Sequence, residues 1–293
     1  MGILLGLTAA LSWGVGDFMA RFSTRRIGTY RTLLYMQILG LLMLSAALTV
    51  MHGWVPLTVG IPRQAFAWLI LAGLVNTVSS LMLYRAFETG MLAIVSPIAA
   101  SYPVLTVALS LASGEKLGPA RGLGIAAALI GVILAATSFA PAPEVNPAAH
   151  HHKGHLTRGV AWAICAAVGY GVLFWILGFR VMPAFGGAIS VWFIRLISFI
   201  TLAVLVVPVK QSAALPTGST WWLVLGVAVT DTGAFVCNNV ALKTEQVAVA
   251  SVLSSLYGAV TVLLAAVFLR ERLEWSQWIG IVLIFAGIAL VSV

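Results

Sequence analysis

Residues 76–106, NTVSSLMLYRAFETGMLAIVSPIAASYPVLT, return 155 positions later at 231–261 as DTGAFVCNNVALKTEQVAVASVLSSLYGAVT. Asn76 and Thr77 fall on Asp231 and Thr232, Ala86 on Ala241, Thr89 on Thr244, Ala93 on Ala248, Ser96 on Ser251, Tyr102 on Tyr257 and Thr106 on Thr261. After a one-residue insertion the likeness continues, with Glu115 on Glu271, Leu117 on Leu273, Gly124 on Gly280 and Gly131 on Gly287. A correspondence sustained over two and a half apolar segments marks a duplicated unit.

Composition says what kind of unit was duplicated. Of 293 residues, 61% are hydrophobic and 8% are charged, against roughly 25% charged in a soluble domain. The natural solvent for such a chain is lipid. Apolar runs of about 20 residues, the length needed to cross a bilayer core, fall at 2–21, 31–51, 65–86, 92–113, 119–139, 157–178, 187–209, 220–242, 246–269 and 275–293. They are rich in Leu, Ala, Val and Gly and lack the alternation of barrel strands. The Pro- and Ala-rich segment 141–156 reads as a linker between a first half, 1–140, and a second, 157–293. Each half has an odd number of spans, so tandem copies insert with opposite topology. The predicted fold is an all-α integral membrane protein, with ten transmembrane helices forming two inverted five-helix repeats around a central cavity.

The net charge of +8 lies mostly between the apolar runs, where Lys and Arg orient a membrane protein; no basic groove suggests nucleic acid. Cys165 and Cys237 each sit in an apolar run without CxxC spacing and read as buried thiols. His150, His151, His152 and His155 have only Glu144 as an acidic neighbour and read as an adventitious cluster, not a metal site. No HExxH or GxSxG pattern points to an enzyme, and no GxxxxGK[ST] points to an ATP-driven pump. No cofactor is expected.

The sequence resembles the drug/metabolite transporter superfamily, in its ten-helix EamA-type branch. The residues carrying the likeness are Ala93-Ile94-Val95-Ser96-Pro97-Ile98, the acidic turn Gly114-Glu115-Lys116-Leu117, and the helix with Gly124 and Gly131. In the second copy they are Val249-Ala250-Ser251-Val252-Leu253, Arg270-Glu271-Arg272-Leu273, Gly280 and Gly287. Within the branch the chain looks most like YddG-type exporters of aromatic and other neutral amino acids. The resemblance implies a central cavity, alternating access and both termini in the cytoplasm. The Arg-rich first connection, with Arg21, Arg25, Arg26 and Arg31, argues the opposite orientation by the positive-inside rule.

Ionisable groups at membrane depth are functional candidates by default. Asp231 lies mid-span and falls on Asn76, so the two are expected to face each other across the cavity, with Asp231 holding a substrate ammonium or a coupling proton; a structural hydrogen bond to a neighbouring helix is the other reading. Arg195 is the other deep charge, either lining the cavity against a carboxylate or snorkelling to the interface. Asp17 reads instead as half of a surface pair with Arg21, at i, i+4. Asn238 is a further cavity candidate, with Asn239 beside it. Trp13 falls on Tyr170 at an offset of 157, and Tyr102 on Tyr257; aromatics placed symmetrically beside a cavity suit apolar side chains or cations. Gly124 and Gly131, with Gly280 and Gly287, predict a contact of the fifth with the tenth helix or a homodimer face. Pro97 and Pro103 break the fourth span and have no counterpart in the ninth, so the two gates are expected to differ.

The expected function is secondary-active export of small metabolites, neutral or aromatic amino acids, across the plasma (inner) membrane. The expected partners are the small-molecule substrate, the lipid bilayer and a coupling proton, for a monomer or homodimer. A sugar-phosphate or nucleotide-sugar carrier would need paired Lys or Arg in the cavity, where Arg195 is the clear candidate. A membrane enzyme or non-transporting scaffold is the alternative of another class.

Overall fold

The structure is a computed structural model that describes residues 1–54, 62–136, 150–269 and 275–291. The described elements are helical: α1 (Gly2–Ile27), α2 (Thr29–Val50), α3 (Arg63–Thr89), α4 (Leu92–Ala99), α5 (Pro103–Ala112), α6 (Pro119–Ala136), α7 (His150–Ile176), α8 (Met182–Phe185), α9 (Gly187–Leu205), α10 (Thr220–Thr244), α11 (Val247–Ser255), α12 (Tyr257–Leu269) and α13 (Trp275–Val291). A π-helical turn, Leu177–Val181, joins α7 to α8. Eight segments among the described residues are long and apolar enough to cross a membrane. The Pro119–Gly131 stretch is apolar but shorter, and α13 has 17 residues. The surface is inverted relative to a soluble protein: Leu42, Val204 and Val267 are 61%, 67% and 71% exposed, while Arg195 is 1% exposed. Helices satisfy their own backbone groups, so such apolar flanks can face lipid.

Three features differ from the sequence reading. Helix α1 runs on to Ile27 and so carries Arg21, Arg25 and Arg26 within it. Helix α7 begins at His150, inside the expected linker; the side chains of the four histidines, like Glu144 and Glu271, lie outside the described set. The ninth span breaks as the fourth does, at the matching place and without proline. Pro103 opens α5 just after Tyr102, and α12 starts at Tyr257. Serine hydroxyls donate to backbone carbonyls at both breaks, Ser101 to that of Ile98 at 2.7 Å and Ser255 to that of Val252 at 2.8 Å, a local bond that bends helices. The unmatched prolines therefore do not make the two halves break differently.

Contacts between the halves come in exchangeable pairs. Helix α1 packs on α10, α11 and α12, and α7 packs on α3, α4 and α5. Helix α2 packs on α9, and α6 on α13. The exchange reaches single hydrogen bonds: the Thr261 hydroxyl donates to the Gly14 carbonyl at 3.3 Å, and Thr106, its mate, donates to that of Gly171 at 3.0 Å. Helices α2 and α9 each follow a glycine with positive φ, Gly28 at 85° and Gly186 at 73°, which a side chain would strain. Matching these two glycines sets an offset of 158 and makes Gln37 the mate of Arg195.

The acidic turn has a structural task. Val247 and Ala248 donate their backbone N–H groups to Glu115 at 2.6 and 3.0 Å. A carboxylate thus caps the start of α11, where unpaired donors and the helix dipole favour a negative group. The paired glycines serve the contact of α6 with α13. A Cβ on Gly287 would lie 2.6 Å from the Gly124 carbonyl and 2.7 Å from the Ala128 nitrogen. Replacing Gly287 by Leu is therefore expected to force these helices apart and destabilise the protein by about 1–3 kcal/mol, read as a lower melting temperature in detergent.

Candidate substrate cavity

The helices that break and those that carry buried polar groups converge on one cavity. Free volume at its centre is about 40 Å³, room for a few water molecules. Helix α1 contributes Trp13 and Asp17, α3 contributes Asn76 and Ser80, α9 contributes Arg195 and α10 contributes Asp231. Tyr102 and Tyr257 stand at the two helix breaks, and Tyr170 and Phe174 come from α7. Met36, Leu83, Tyr84 and Phe235 complete the wall.

The polar side is organised by Arg195. Its Nη1 donates to Gln37 Oε1 at 2.9 Å, and its Nη2 forms an ion pair with Asp231 Oδ2. Trp13 Nε1 donates to the other carboxylate oxygen of Asp231 at 3.0 Å. Helix α2 can pass this close because residue 40 is glycine: a Cβ there would lie 2.6 Å from the Thr232 hydroxyl and 3.2 Å from Arg195 Nε. Asn76 donates to the Ser198 hydroxyl at 3.3 Å, and Ser80 and the Tyr170 hydroxyl share a hydrogen bond of 3.0 Å.

Asp17 is placed differently from the sequence expectation. It is 7% exposed and lines the cavity. Its Oδ2 is buried without a hydrogen-bond partner among the described residues. Burial follows from α1 being wrapped by three helices of the other half, which an i, i+4 spacing on one helix does not reveal. The lining therefore holds two carboxyl groups and one guanidinium.

The apolar side is an aromatic cage. The Trp13 ring centroid lies 5.8 Å from that of Phe174, 6.1 Å from Phe235 and 6.2 Å from Tyr257. Tyr102 and Phe174 are 4.8 Å apart, and the Tyr102 hydroxyl is anchored at 2.6 Å to Ser254. Such rings offer flat apolar faces and negative quadrupoles to a ligand.

Of the sequence candidates, Trp13, Asn76, Tyr102, Tyr170, Arg195, Asp231 and Tyr257 meet in this cavity. Asn238 does not line it: it lies seven residues beyond Asp231 on α10, about two helical turns or ~10 Å away, and is completely buried. Sequence reasoning missed Asp17 as a lining group, and also Phe174, Phe235 and Gln37. The offset of 157 that aligns Trp13 with Tyr170 also aligns Asp17 with Phe174, a signal available in the sequence.

Substituting Arg195 by Met leaves Asp231 without its counter-charge. A loss of about 3 kcal/mol is expected, near the low end for a broken buried pair because the Asp231 side chain is 22% exposed. Adding Asp231→Asn should recover most of that loss in a thermal melt.

The profile of the EamA-like transporter family matches residues 1–137 and 157–293. An uncharacterized protein of Methanocaldococcus jannaschii is 29% identical over 137 residues, which are 46% of this chain and 96% of that protein. A crystal structure of a protein superposes with a TM-score of 0.72 at 21% identity, covering 99% of this chain and 95% of the other, and so shares the fold. With an all-helical body, apolar flanks and a mixed polar and aromatic cavity, the chain belongs to the EamA-like transporter family, multi-pass membrane proteins that carry small substrates.

Proposed function

We propose that the protein is a secondary-active exporter of neutral and aromatic amino acids, of the YddG type, working by alternating access. The observation that carries the substrate class is the lining itself. An amino acid presents an ammonium, a carboxylate and a side chain. The cavity opposes these with the buried carboxyl of Asp17, whose Oδ2 has no hydrogen-bond partner among the described residues, a guanidinium at Arg195 and an aromatic cage. Asp231 holds Arg195 in place, and a substrate carboxylate competes for it. A buried carboxylate calls for a positive partner, so Asp17 is also where a coupling proton would sit in exchange for the ammonium.

The same reading takes the fold as ten crossings in two inverted repeats, 1–140 and 157–293. The paired contacts of the halves support it, as does a relative about half this chain's length. So do the connections, which gather at two ends. Arg25 donates to the Gly90 carbonyl and Arg26 to Ser219 at one end, while Gly2 approaches Glu245 at the other. We place the protein in the plasma (inner) membrane with both termini in the cytoplasm, following the family resemblance. Among the described helices and turns, Arg21, Arg25, Arg26, Arg31, Arg85, Lys153, Arg158 and Lys210 lie towards the end away from Met1 and Arg63, Lys116, Arg121, Arg180 and Lys243 towards the other, so the positive-inside rule leans against this orientation, which rests on the family resemblance alone. A sugar-phosphate carrier fits less well, because Arg195, the cation of the lining, is already paired with Asp231.

In proteoliposomes loaded with phenylalanine, labelled phenylalanine should enter by counterflow and neutral amino acids should compete. Absence of competition by any neutral amino acid overturns the substrate class. Asp17→Asn should lower that counterflow by at least ~10-fold, the loss of roughly one charged contact, without lowering the amount of folded protein; an unchanged rate removes Asp17 from the site.

A further inference from the structure

The cavity departs from the exchange symmetry of the halves at two places: Arg195 lines it while its mate Gln37 does not, and a larger departure lies on α3. Trp13 and Tyr170, Asp17 and Phe174, Asn76 and Asp231, Ser80 and Phe235, and Tyr102 and Tyr257 are mates, and both members of each pair line it. Beyond Ser80 on α3 the cavity continues to Leu83 and Tyr84. Their mates at the offset of 155 are Asn238 and Asn239, which do not line it. Met36 belongs to the same extension, since the Tyr84 hydroxyl donates to its sulfur at 3.0 Å, and its mate Ile194 is also shut away. The cavity thus reaches towards the C-terminal end of α3, the end of Gly28 and Gly90, and stops short on α10.

A second, independent observation falls on the same mates. Asn238 and Asn239 are both 0% exposed, and neither amide nitrogen nor amide oxygen of either has a hydrogen-bond partner among the described residues. Buried amides are nearly always paired, because leaving one unpaired forfeits its hydration. Adjacent carboxamides left so in this conformation need a partner in another one. In an inverted repeat the C-terminal ends of α3 and α10 point to opposite membrane faces, and alternating access rocks one repeat against the other around a fixed site.

We propose that the opposite-facing conformation closes the Leu83–Tyr84 extension and opens its mate, so that Asn238 and Asn239 enter the cavity wall and bind the polar end of the substrate. The inference rests on the alternating-access reading above. It makes the two mouths chemically unlike. One is lined by Leu83, Tyr84 and Met36 and favours apolar matter. The other is lined by two carboxamides, which donate to a carboxylate and accept from an ammonium. Substrate is held by different groups on the two sides of the membrane, so the residues at 238 and 239 set selectivity on one face only.

The test uses single cysteines at Tyr84, Asn238 and Asn239, each introduced into the full chain carrying Cys165→Ser and Cys237→Ser and reconstituted in proteoliposomes. A membrane-impermeant methanethiosulfonate reagent reports exposure, with phenylalanine supplied on one face or on the other. The expected result is reciprocal: moving phenylalanine between faces changes the labelling rate at 238 and 239 by about tenfold, the effect of a modest population shift, and changes that at 84 in the opposite sense. Labelling at 238 and 239 should come from the face that carries Met1. If position 84 switches while 238 and 239 stay unreactive or constant, the inference is wrong and the transport reading stands. If none of the three positions switches, alternating access itself fails, and the inference with it.

Discussion

A guanidinium buried at the middle of a lipid-facing bundle sets the terms for everything around it. Arg195 can remain there only if its charge is met. Asp231 meets the charge, Gln37 takes a second donor, and Trp13 holds the far oxygen of Asp231. Those four residues sit on α9, α10, α2 and α1, so one polar knot fixes the relative height of four helices drawn from both halves. Gly40 is the steric condition for it, since α2 must lie against the arginine stem.

The duplication supplied the geometry and divergence supplied the charge. Each charged group in the cavity has an uncharged mate: Asp17 has Phe174, Arg195 has Gln37 and Asp231 has Asn76. The aromatic positions, by contrast, kept their character, with Tyr102 matched by Tyr257 and Trp13 by Tyr170. The result is a nearly symmetric cage in an asymmetric electric field.

Much of this was legible in the sequence because a membrane chain spends few polar residues and repeats betray themselves at fixed offsets. Asn76 with Asp231 and Tyr102 with Tyr257 needed only the spacing of 155. Other features were hidden for physical reasons. The break at Leu256 arises from serine hydroxyls bonding their own backbone, a weaker written signal than proline. The pairing of Gln37 with Arg195 lies at an offset of 158, displaced by small insertions, and became visible through the conformation of two glycines. Asp17 looked like a surface residue because its helix partner, Arg21, is local, whereas its burial is the work of helices far along the chain.

That distance has a consequence for how the protein is made. Trp13 and its acceptor Asp231 are 218 residues apart, and α1 finds most of its neighbours among the last helices of the chain. At synthesis rates of roughly 5–20 residues per second, the first helix waits about 10–40 seconds in the membrane with an aspartate and no lasting companion. During that interval it must be sheltered, by the insertion machinery or by α2 and α3. Helix α1 is made long before the helices it packs on most, and the cavity exists only once α10 to α12 have joined it.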